Sequence, residues 1–234
     1  MLADRIEAKW IESFRRVFAL SGVTKGETVA ILSETQSREL NVHITELALQ
    51  ALGARAFHVV MPTPPQSAPV PVRSTGASNS LQALDPAIMA LAASELVVDL
   101  TLEGLLHAPE LPAILKGGAR VLMISNEHPE ALERLTPDEG LKDDVRAAVT
   151  CCREANTMTV TSEAGSDLRI DLSNSPVAGV WGWTDRPGTV AHWPGGVVVA
   201  FPKRHTVHGR LVMSPGDINL TFKRYLESTV TLTI

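Results

Sequence analysis

Between residues 28 and 124 short apolar runs alternate with helical stretches, and this alternation limits the fold more than any single motif. The runs are "TVAILS", "AFHVVM", "LVVDL" and "ARVLMIS". They are separated by helical patterns over about 37–52 and 81–93 and by a short helix opened by Pro109. Strand and helix in strict turn are the pattern of βα units on a parallel sheet. Ahead of them Ile6, Trp10, Ile11, Phe14, Val17 and Phe18 recur at helical spacing, with Gly22 as the stop, so an amphipathic helix is predicted over about 3–20. Further helices are predicted over about 128–134 and 137–152. The expected fold class is α/β, with residues 1–155 forming a doubly wound, mainly parallel sheet domain.

From Asn156 the texture changes. "TMTVTS", "DLRIDL", "GGVVVAFP", "GRLVMS", "INLTF" and "STVTLTI" are short, β-branched and separated by Gly, Pro, Asn and Asp. Residues 156–234 are therefore expected to form a mainly antiparallel β-rich domain. The last run reaches Ile234 with no helix or polar tail after it, and we expect this second domain to be partial. Residues 62–80, "PTPPQSAPVPVRSTGASNS", hold five prolines and can sustain neither helix nor central strand. Two readings stand for this segment: a surface excursion, or a lid over the crevice at the carboxyl edge of the sheet.

Composition removes several classes of function. Hydrophobic residues make up 44% of 234, enough to bury a core, and the net charge of −5 comes with no basic tract beyond Lys203-Arg204-His205. Nucleic acid is not an expected partner. No apolar window reaches the length of a membrane span and no leader is visible at the amino terminus, so a cytoplasmic protein is expected. Cys151 and Cys152 are adjacent, outside any Cys-x-x-Cys pattern, and fit a reducing compartment as small residues at a helix end.

The usual catalytic motifs are missing. There is no Gly-x-Gly-x-x-Gly, P-loop or Gly-x-Ser-x-Gly, and Lys116-Gly117-Gly118 precedes a strand instead of a helix. His205 and His208 are three apart in an extended segment, which puts them on opposite faces, so they are read as surface residues. Glu163 and Asp167 flank Gly165-Ser166 in a predicted hairpin turn.

Two histidines carry more. His107 follows "LVVDL" and precedes a proline-started helix, which puts it at the carboxyl edge of a doubly wound sheet, where ligands bind; an exposed loop histidine is the plainer reading. His192 opens "HWPGGVVVAFP", where prolines and a glycine pair predict a sharp turn that delivers a buried strand beside His192 and Trp193. A fixed backbone suits a positioned acid, base or donor, and a turn-capping role is the alternative.

The order "LLHAPE", "AGSDLRIDL", "GWTDRPGTVAHWPGGVVVAFP" and "GRLVMSPGDI" resembles the 2,5-dihydroxypyridine 5,6-dioxygenases of nicotinate and pyridine breakdown, which are similar in fold to aminopeptidase T metallopeptidases. The "HWP" turn with its upstream "DRPG" is the most specific part of that resemblance. It implies an Fe(II)-dependent opening of the ring between carbons 5 and 6 to N-formylmaleamate, with O2 and a small hydroxylated heteroaromatic as substrates. It further implies a homo-oligomer, and it assigns His107 to acid–base catalysis and His192 and Trp193 to substrate binding, with Trp181 and Trp183 nearby. Members of the family are longer, so the iron ligands are expected beyond residue 234 and no metal ligand within the chain. In the aminopeptidases the turn reads Pro-Gly-Gly-Glu, and that glutamate binds a two-metal centre; here the position is Val197, which cannot coordinate metal. An aminopeptidase-like activity is the alternative, followed by a non-enzymatic fragment of either enzyme.

Overall fold

A computed structural model describes residues 5–65, 77–219 and 224–234. Contacts divide the described residues into two units that interleave in sequence: the first comprises residues 5–65, 77–139 and 180–195, the second 140–179, 196–219 and 224–234.

In the first unit the predicted alternation is realised as α1 (Ala8–Leu20), β1 (Thr28–Glu34), α2 (Glu39–Ala51), β2 (Arg55–Met61), α3 (Asp85–Ala92), β3 (Leu96–Asp99), α4 (Leu111–Lys116), β4 (Arg120–Ile124) and α5 (Pro129–Arg134). The strands form one parallel sheet in the order β2-β1-β3-β4, completed at the β4 edge by β8 (Val190–Trp193). Residue parity decides the two faces. Val29, Ile31, Val98, Leu122 and Ile124 pack against Phe14 and Phe18 of α1, Ile44 and Leu49 of α2 and Leu132 of α5. Ala30, Leu32, Val97 and Val121 face Leu91 of α3 and Leu111 and Ile114 of α4. A sheet buried on both faces accounts for the unbroken apolar runs in β1, β3 and β4. Each fully buried Leu, Ile or Phe contributes roughly 1.5–3 kcal/mol.

The second unit has its own antiparallel sheet, ordered β13-β10-β6-β5 from Val230–Thr233, Val207–Met213, Asp167–Asp171 and Thr157–Thr161. Two strand pairs accompany it, β7 (Val177–Val180) with β9 (Val197–Ala200) and β11 (Ile218–Asn219) with β12 (Arg224–Tyr225). Helix α6 (Gly140–Glu154) buries Val145 and Val149, and a Cβ on Gly179 would come within 2.6 Å of Val145 Cγ1.

Several sequence expectations are met differently. Helix α6, placed with the first domain by the sequence, clusters with the second unit because its apolar face meets β7 and β9. Strand β8, placed in the antiparallel region, is the fifth parallel strand of the first unit, paired from Val121↔Val190 to Ile124↔Trp193. The run after the Pro-Gly-Gly turn is not a buried strand: Val197 and Val199 are exposed, and the buried one is β8, before the turn. Of the proline-rich segment, residues 66–76 lie outside the described residues, while Ser78 and Ser80 at its end are buried.

Candidate active site

In a doubly wound sheet the strand order reverses at one point, and ligands collect at the carboxyl ends beside it. Here the chain goes from β1 outward to β2 and then returns to β3 on the other side of β1. The residues at those two carboxyl ends are Glu34 and Asp99, 4% and 0% exposed. Two carboxylates buried this far are costly unless hydrogen-bonded. Asp99 is: Oδ1 accepts from Thr101 N at 3.0 Å and Thr101 Oγ1 at 2.7 Å, and Oδ2 accepts from Leu105 N at 2.7 Å. Burial pushes the Asp99 carboxyl up to about 6, opposed by those bonds and reinforced by the charge of Glu34. Glu34 Oε1 accepts from Ser78 Oγ at 2.9 Å, and burial raises this carboxyl too.

Asp99 thereby holds the β3–α4 loop, which carries His107. The carbonyl of Leu105 accepts from Ala108 N at 2.9 Å, so Leu106 and His107 are the central residues of a turn whose ends are buried. His107 itself is exposed. A cavity of about 540 Å³ lies at the opposite, amino edge, lined among others by Glu27, Glu95, Arg120 and Asp185. The Arg120 guanidinium there is consumed by Glu27 and the carbonyl of Ser21, which makes this a structural ion pair.

His192 is half-buried in β8, and its Nδ1–H donates to the Pro194 carbonyl at 2.8 Å. A carbonyl can only accept, so this bond fixes the proton on Nδ1 and leaves Nε2 as the acceptor of a neutral ring. Burial lowers the His192 pKa, the Pro194 bond partly opposing it, which keeps the ring neutral at pH 7. Trp193 points to the other face of the sheet. It is fully buried, its ring edge-on to Phe14 with centroids 4.9 Å apart and its indole N–H donating to Leu135 O at 2.9 Å. The expected substrate-binding role of Trp193 is corrected to core packing, because parity along β8 aligns it with Ile124 and α1. Trp183 is buried and stacks edge-on with Trp181.

The turn after Trp193 is fixed by close backbone approach. A Cβ on Gly195 would lie 2.2 Å from Gly182 N and from the Trp181 carbonyl carbon. His107 follows β3 and His192 lies in β8, with β4 between them, and among the described residues no hydrogen bond or ion pair joins the two histidines. Sequence reasoning missed Glu34 and Asp99. The signal was available: an acid closing an apolar strand, with leucine on its far side in "LVVDL", has no solvent to face. Among the described residues no three His, Cys, Asp or Glu side chains come together as a metal centre. No described helix is long and apolar enough to cross a membrane.

Comparison with known proteins follows the same lines. The family model of the 2,5-dihydroxypyridine 5,6-dioxygenases matches residues 9–234, and the chain belongs to that family. The 2,5-dihydroxypyridine 5,6-dioxygenase of Pseudomonas putida KT2440 is 35% identical over 229 residues, a match covering 97% of this chain and 65% of that enzyme. The chain thus spans just under two thirds of the length of this relative. The solved structure of the Pseudomonas putida dioxygenase superposes with a TM-score of 0.83 at 34% identity, covering 98% of this chain and 66% of the other. AmpT from Thermus thermophilus superposes with a TM-score of 0.57 at 15% identity over 88% of this chain and 64% of that one, which shows a shared fold.

Proposed function

We propose that this chain serves the oxygen-dependent ring opening of 2,5-dihydroxypyridine between carbons 5 and 6, giving N-formylmaleamate, in the cytoplasmic breakdown of nicotinate or pyridine compounds. The observation that carries the reading is the family match across residues 9–234. Ferrous iron is the cofactor in this reading, and O2 and the hydroxylated pyridine are the substrates, with further copies of the chain as partners. The described residues present no converging donor set for iron, so they do not fit as its site, and the reading requires ligands from outside them.

What these residues contribute is proton handling and orientation. His107, exposed on a turn with anchored ends, is placed to take the proton of the ring hydroxyl and return it after ring opening. His192, neutral and with Nε2 as acceptor, suits a hydrogen bond from the substrate ring or its hydroxyl. The test is oxygen uptake with 2,5-dihydroxypyridine after anaerobic Fe(II) loading. It is run on this chain and on a chimera that adds the part of the Pseudomonas putida enzyme this chain does not cover. Turnover by either protein supports the reading. A chimera that folds and binds iron yet leaves the pyridine intact overturns it.

A further inference from the structure

Resting on the assignment of His107 to proton transfer, we infer that Asp99 and Glu34 form a buried carboxylate mount whose task is to fix the loop carrying His107. Asp99 grips that loop at both ends of its first half, through Thr101 N and Oγ1 and through Leu105 N. Glu34 grips it from the other side: it accepts from Ser78 Oγ, and Ser78 N donates to the carbonyl of Gly104 at 2.8 Å. Thr101 Oγ1 also accepts from Gly104 N at 3.1 Å, so the segment from Thr101 to Leu105 is held by both carboxylates.

Packing also favours the observed loop conformation. Gly104 has φ +78°, and a Cβ there would fall 2.1 Å from Met123 Sδ. Leu105 and Ala108 sink into the core beneath the turn while His107 stays at its apex. An apolar loop could be held by packing alone, at no desolvation cost. Two buried carboxylates are a costly alternative whose gain is directional: the charge-assisted bonds of Asp99 at 2.7 Å set where the loop backbone sits. Among the described residues Glu34 Oε2 makes no direct hydrogen bond, and a buried oxygen left so costs stability. Asp99 and Glu34 act through the loop and are positioning residues.

The experiment compares wild type with Asp99→Asn, Glu34→Gln and Thr101→Val. An asparagine at 99 keeps the shape but turns an N–H₂ toward Leu105 N–H, donor against donor. The first arm is amide hydrogen exchange, which needs no turnover. Leu105 and Ala108 should exchange about tenfold faster or more in Asp99→Asn, with Ile31 and Val98 unchanged as a check that the sheet is intact. Unchanged exchange at Leu105 overturns the mount whatever the protein catalyses. Thr101→Val exchanges the hydroxyl for a methyl and leaves the Asp99 charge and its bonds to Thr101 N and Leu105 N in place, so it is the milder variant and should show a smaller shift in the same direction.

The second arm is turnover in the chimera. Asp99→Asn should lower kcat by about 10²-fold with KM within about twofold, since a displaced proton acceptor costs rate more than binding. Added to His107→Ala it should cost little more, because both variants remove the same function. Losses that multiply overturn the coupling to His107. Wild-type turnover in His107→Ala overturns the proton-transfer assignment itself, and with it the purpose inferred for the mount.

Discussion

The indole N–H of Trp193 donates to the carbonyl of Leu135 at 2.9 Å, tying the last residue of β8 to the residue that caps α5. The same ring lies edge-on to Phe14, so one side chain joins a strand and two helices of the first unit. Trp193→Phe keeps most of the apolar area and orphans the carbonyl, and should cost about 1–2 kcal/mol. Trp193→Ala should cost about 3–5 kcal/mol. Denaturant midpoints at constant slope measure both, and a Trp193→Ala protein as stable as wild type would refute the core assignment.

Gly195→Ala addresses the turn. The added methyl meets the backbone of Trp181 and Gly182, which cannot rotate away as a side chain would. A loss of about 1–3 kcal/mol is expected, whereas Gly26→Ala, with nothing within 4 Å, is strained only through its φ of +85°. Thermal midpoints of the two variants should rank Gly195→Ala lower.

Asp99 makes a pH prediction. Its folded pKa of about 6 lies above the unfolded value near 3.8, so the folded state takes up the proton first as pH falls. The cost of burying its charge is complete above pH 6 and is relieved between pH 6 and 4. Wild type should therefore gain stability relative to Asp99→Asn over that window, on the order of 3 kcal/mol. Parallel stability curves from urea titrations at pH 4 to 7 would show that another group titrates.

For His107, the expected outcome of His107→Ala in the iron-loaded chimera is a fall in kcat on the order of 10²–10⁴ with iron content unchanged. Metal analysis beside oxygen uptake separates the cases. Equal loss of iron and rate would place His107 in ligation instead of proton transfer.

Much of the first unit was legible because its strands are buried on both faces and read as uninterrupted apolar runs, as in "TVAILS" and "ARVLMIS". Strand β8 was not, because "VAHW" is only four paired residues among Gly, Pro and Trp, and each pairs with a residue of β4 that lies 69 positions upstream, as Val190 does with Val121. Trp193 was misread for a related reason: only the pairing Ile124↔Trp193 reveals which face the ring takes, and local sequence does not contain it. His107 was found from its place after β3. Of the carboxylates that hold its loop, Asp99 was overlooked although Leu100 after it signalled burial, while Glu34, followed by Thr35 and Gln36, passes as an ordinary strand end.

The late return of β8 to the parallel sheet bears on how the chain is made. A ribosome releases β4 long before Val190 emerges, and until then the N–H and C=O groups of Val121–Ile124 that face away from β3 have no strand partner. The nascent chain carries an open, apolar edge throughout the synthesis of α6, β5, β6 and β7. A fragment cut after Glu139 would end its sheet on β4, a strand buried along its whole length, in place of the shorter and half-exposed β8.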